Sequence, residues 1–222
     1  MGSKVKTSKI IENIPIEYER QLLSVVDGEN LLILLTEPNK EYSIIKQYKF
    51  NGTFVNEIIV DFINVNGIAF TEKLNQIYLS YVKWDNLGKP QKNIVVYNNE
   101  GKILKNFESD FKQGFFTEDG KLIGYTNKSL ICFDAKKLEI YFEYKLKQNY
   151  INLDVTYNSN KIFVASARQP ILADGKWLYE NPEISEYDLD GHLVESKEIN
   201  SKPFTEYGFE TLDGKINFKI IE

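Results

Sequence analysis

The chain is short of the residues that most often carry chemistry. Among its 222 residues there is one cysteine, one methionine and one histidine. The lone Cys132 excludes an intramolecular disulfide, and its apolar setting from Leu130 to Phe133 reads as a small core residue. The lone His192 excludes any multi-histidine metal centre. It falls in a turn between two strand-like runs, so it reads as a solvated turn residue and not as the base of a Ser-His-Asp triad or Cys-His dyad. Arginine is nearly absent as well, with only Arg20 and Arg168. Readers of nucleic acid depend on arginine forks and basic stripes. A net charge of −5 with acids and bases interspersed excludes nucleic acid as an expected partner.

Long apolar runs are also missing. The longest, Leu31 to Leu35, is strand-sized and far below the roughly 18 residues of a membrane span. The first residues lack the charged, apolar, small-residue order of a signal peptide, and Met1-Gly2-Ser3 reads as a cloning scar, leaving the compartment open. Residues 1–6 are expected to lie outside the fold and 7–222 to form a single domain. Neither glycine-rich phosphate motif, G-x-G-x-x-G or G-x-x-x-x-G-K-[ST], occurs. No cofactor and no metal are expected. Glu186, Asp188, Asp190 and Gly191 partly mimic a calcium loop, but the first ligand position is Glu and the twelfth is Lys197. Asn51-Gly52-Thr53 and Asn127-Lys128-Ser129 fit the glycosylation triplet, which arises readily in an Asn-rich chain.

What the chain has in quantity is strand. Short runs of Ile, Val, Tyr and Phe alternate with Asp-Gly and Asn-Gly turns, and helical periodicity is absent. A polar turn followed by an apolar run recurs five times: before Leu31, Ile77, Leu122, Ile162 and Ile216. The spacing, about 40 to 54 residues, is the size of a four-stranded propeller blade. A second element recurs in register, an aromatic closing a strand just before a polar turn: Tyr48, Tyr97, Phe133 and Tyr187. The stretch from Gly67-Ile68-Ala69-Phe70 through Ile77-Tyr78-Leu79-Ser80 to Tyr97-Asn98-Asn99-Glu100-Gly101-Lys102 resembles blades of the NHL, YVTN and TolB-like propeller superfamily. The resemblance implies an all-β propeller of about five four-stranded blades. Its last blade holds only two strands near the C-terminus. The strand-like segment 7–16 is expected to pair with them and close the ring.

Strand alternation in such a blade puts the connections between second and third strands on one face. Three of these read as long loops, 36–42, 81–92 and 165–183, and they hold both tryptophans. Loops on a rigid scaffold carry function, and Trp, Tyr and Arg are typical anchors. Tyr81, Trp84, Arg168, Trp177 and Tyr179 are therefore the candidate binding residues, with Tyr42 and Tyr150 nearby. The expected protein is a monomeric, non-catalytic module for a protein, peptide or glycan ligand. The alternative is a glycosidase-like hydrolase, because five-bladed propellers include glycoside hydrolases with carboxylates at the channel. Asp61, Asp110 and Asp154 are its candidate acids, although glycosidase motifs and the calcium cage of lactonase-like propellers are both missing.

Overall fold

A computed structural model of the chain describes residues 20–36, 40–61, 64–117, 119–212 and 215–221. The described residues are all-β, with no helix among them and hence none long and apolar enough to cross a membrane. The expected N-terminal strand at 7–16 lies outside the described residues.

The chain divides into two compact units, Met1–Lys112 and Gln113–Glu222. In the first, β1 (Arg20–Asp27), β2 (Asn30–Thr36), β3 (Ser43–Lys49) and β4 (Phe54–Val60) form one antiparallel sheet in chain order. β5 (Val65–Thr71), β6 (Gln76–Trp84), β7 (Pro90–Asn98) and β8 (Ile103–Phe107) form the next. The two pack face to face: Leu32, Leu34 and Ile45 of one meet Phe70, Ile77 and Leu79 of the other in a single buried cluster. The alternation seen in the sequence supplies this face, since residues two apart in a strand point the same way.

The second unit repeats the plan. β9 (Gln113–Phe116), β10 (Lys121–Tyr125), β11 (Ser129–Asp134) and β12 (Glu139–Lys145) make one sheet. β13 (Tyr150–Asn158), β14 (Lys161–Arg168), β17 (Glu183–Asp188) and β18 (Leu193–Glu198) make the next. Between β14 and β17 stands a separate hairpin of β15 (Ile171–Ala173) and β16 (Lys176–Leu178). β19 (Glu206–Leu212) and β20 (Lys215–Ile221) form a final hairpin beside β13. Ile123, Leu130 and Cys132 meet Val155, Ile162 and Val164 to form the core.

The four-stranded sheets share even their irregularities. In each, the pairing of third and fourth strands slips next to one aromatic, at Tyr48, Tyr97, Phe133 and Tyr187. All four rings are buried. These are the aromatics that recur in the sequence. The turns repeat too. At 49–53, 85–89, 98–102, 117–121 and 188–192 the first N–H donates to the fifth carbonyl, and the fourth N–H donates back to the first carbonyl. The fourth residue is always glycine at positive φ, from +72° at Gly88 to +89° at Gly120, a conformation that side chains resist. Asp85, Asn98 and Asp188 open their turns by accepting the third and fifth backbone N–H groups on one side-chain oxygen.

Candidate functional site

Two of the three expected long loops are mostly strand. The 81–92 segment continues the β6–β7 ladder out to Trp84 opposite Pro90, closed by the tight turn at 85–89. The 165–183 segment carries β14 on to Arg168 and then folds into the β15–β16 hairpin. Its turn is Asp174-Gly175, at φ +50° and +76°, the two-residue geometry whose twist matches that of paired strands. Part of the 36–42 loop lies outside the described residues.

The hairpin is held at its root and bare at its tip. At the root, Arg168 N–H donates to the Glu180 carbonyl at 3.0 Å, and Tyr179 and Phe204 exchange two backbone hydrogen bonds at 2.9 and 3.1 Å. Tyr179 stacks on the fully buried Phe204 at 5.7 Å and meets Tyr207 edge-on at 5.1 Å. Burial and the Tyr179 hydroxyl push the Tyr207 phenol up to about 12. Beyond the root, Leu172 and Trp177 face each other across the ladder, exposed by 61% and 57%. Ile171, on the other face of the hairpin, is also largely exposed. No third strand joins β15 and β16 among the described residues. The pair is thus an apolar knob on a short ribbon, with Arg168 exposed at its base.

The other candidates fall elsewhere. Tyr81 is a core residue of the first unit, on the same strand face as Ile77 and Leu79. Trp84 is exposed in that unit at the end of β6, next to the turn that carries the exposed Leu87. Tyr179 anchors the hairpin and so is partly buried. Tyr42 is partly buried beside Lys40, and Tyr150 lies beside Lys147. Leu172 and Ile171 went unread in the sequence, although Asp174-Gly175 flanked by apolar pairs is the signal of a two-residue hairpin.

The carboxylates proposed for hydrolysis have other work. Asp110 pairs with Lys92 at 2.8 Å. Asp154, at a bulge in β13, accepts the backbone N–H groups of Val155 at 2.8 Å and Phe209 at 3.1 Å, tying β13 to β19. Asp61 is exposed just after β4. Asp188, Asp190 and His192 bring their ligand atoms within 4.8 Å of one another. However, Asp188 is committed to the turn amides, and Asp190 accepts from the Tyr141 hydroxyl at 2.8 Å with the Lys121 ammonium 4.0 Å away. The turn geometry and a resident cation account for this group.

No known protein family matches the sequence, and neither does any curated protein. Solved structures do resemble it. A eukaryotic initiation factor aligns at 11% identity with a TM-score of 0.53, over 88% of this chain and 48% of its own. Hydrazine synthase from Kuenenia stuttgartiensis aligns at 14% and 0.51, over 77% of this chain and 52% of its own. At such identities the likeness concerns fold alone. The C-terminal WD40 domain of Sif2, at 10% identity and 0.47 over 87% of this chain and 62% of its own, is a looser likeness on which nothing rests. The chain spans about half the length of the first two. Serial, four-stranded, up-and-down antiparallel sheets with matching turns make this an all-β protein built of blade-like repeats.

Proposed function

We propose that the chain is a non-catalytic binding module, and that the β15–β16 hairpin is where it holds a partner protein or peptide. The observation that carries this is the Leu172–Trp177 cross-strand pair, exposed on both residues and mounted on a root fixed by Tyr179 and Phe204. A tryptophan in the open has no part in the core, and large rings beside aliphatic chains are what interface centres are made of. The flanking Arg168 and Lys176 would sit at the rim of such a contact. A hydrolase would need two free acids facing one space, and Asp110 and Asp154 are each bonded within the fold. The same reading takes the repeat as five blades of one closed propeller, which small-angle scattering of the full chain would test.

The binding test compares wild type with the Leu172→Ser/Trp177→Ser variant. Partners captured by the wild type are identified by mass spectrometry, purified and titrated against both proteins. The variant should melt as the wild type does, because both side chains are exposed, and should bind more than about 30-fold more weakly, as loss of an anchor of about 2 kcal/mol requires. Equal affinity for both proteins would remove the hairpin from the binding surface. A variant that fails to fold would make the pair part of the core.

A further inference from the structure

In the second unit a charged pair sits where β12 turns into β13 and β17 begins. Glu183, at the start of β17, is 7% exposed, yet its carboxylate forms an ion pair with Lys147. Desolvation raises its pKa, but this is outweighed by Lys147 and by two hydroxyls, so the net shift is below the ordinary value of 4.5. The Ser196 and Ser185 hydroxyls both donate to Oε1, which leaves Oε2 facing out to the Lys147 ammonium at 2.7 Å. The two sides of this pair are held very differently. Glu183 is fixed by sheet pairing to Ser166 and Glu198 and by the two serines. Lys147 stands outside the strands with its side chain 60% exposed, and its ammonium meets the Glu183 carboxylate and the Tyr150 ring. The ring of Tyr150 lies 5.5 Å from that ammonium, and Tyr144 and Tyr187, 5.2 Å apart, line the same small pocket. A buried anion with its hydrogen-bond acceptor aimed at an opening walled by tyrosines is the chemistry that recognises an alkylammonium.

We propose that this pocket is a binding site for a primary alkylammonium group, such as the head of a lysine side chain, and that Lys147 occupies it as the chain's own reversible plug. This rests on the Glu183 geometry and is independent of the hairpin. A ligand must displace a tethered competitor whose effective concentration is on the order of millimolar. Wild-type affinity is therefore weakened by the plug, and removing the plug strengthens it. A primary ammonium can donate hydrogen bonds to Oε2 and a tetramethylammonium cannot, which sets the selectivity.

The experiment titrates n-butylammonium chloride into the full chain, with tyrosine side-chain resonances of Tyr150 and Tyr187 followed by NMR and sodium chloride as the ionic-strength control. Saturable shifts are expected in the wild type. Lys147→Ala should bind at least tenfold more tightly, with tetramethylammonium weaker than n-butylammonium. Lys147→Gln keeps a stem over the pocket and gives the same sign if the alanine variant does not fold. Adding Glu183→Gln to either should abolish binding. Shifts matched by sodium chloride, equal affinity with and without the Lys147 amine, or binding that survives Glu183→Gln would each overturn the proposal.

Discussion

At the scale of single residues, the repeated turns separate two costs that usually come together. Gly191 and Gly88 occupy the same fourth position of the same turn, both at positive φ. A Cβ on Gly88 meets nothing within 4 Å, whereas one on Gly191 would lie 2.6 Å from the Phe142 ring. Gly88→Ala should cost about 1 kcal/mol, the backbone penalty alone. Gly191→Ala carries that penalty plus the displacement of a packed ring, so it should cost at least ~2 kcal/mol. Urea unfolding of both variants checks this, and equal losses would mean that Phe142 moves freely. Cys132 makes the complementary point about composition. Burial pushes its thiol up to about 12, so the chain's one thiol is kept as an inert piece of core.

At the scale of elements, the sequence was readable wherever a strand ended in a tight turn. Tyr48, Tyr97, Phe133 and Tyr187 stand before their turns as expected, and each is a buried ring placed at a slip in pairing. The candidate site was harder to read because strands outran the apolar alternation that marks them. Tyr81 belongs with Ile77 and Leu79 by two-residue periodicity, and its polar hydroxyl and neighbours disguised a core position. Beyond it β6 has exposed Lys83 and Trp84, so pattern alone cannot tell a ribbon from a loop there. One strand thus carries a steep gradient. Ile77→Ala should cost roughly 2–5 kcal/mol and Trp84→Ala less than about 0.5 kcal/mol. Thermal unfolding decides it, and comparable losses would mean that Trp84 is packed.

At the scale of the whole molecule, stability is bounded on both sides of neutral pH by groups in the sheets. Glu183 has its pKa lowered on folding, so its contribution is present above its ordinary value and is lost as pH falls through the lower folded value. Tyr97, Tyr125 and Tyr207 have theirs raised to about 12, by burial first and then by nearby Asp61, Asp154 and Tyr179 respectively. Their contribution is complete below the ordinary phenol value of 10.0 and disappears as pH rises toward about 12. Melting temperature against pH should fall below about pH 4.5 and again above about pH 10. Glu183→Gln should flatten the acid limb and leave the alkaline limb in place. An alkaline limb that is absent while tyrosinate absorbance appears would mean that the phenols ionise without unfolding.

The β15–β16 hairpin has a bearing on how such a chain can change. Among the described residues it joins the ladder of no neighbouring strand, and Tyr179 and Phe204 secure its root without reference to what the tip displays. Side chains at Ile171, Leu172 and Trp177 are therefore free to be exchanged without disturbing the ladder on either side. On the proposed reading of the hairpin, scaffold and specificity are written in separate stretches of sequence, so a lineage carrying this fold would acquire a new target by rewriting eight residues and keeping the rest.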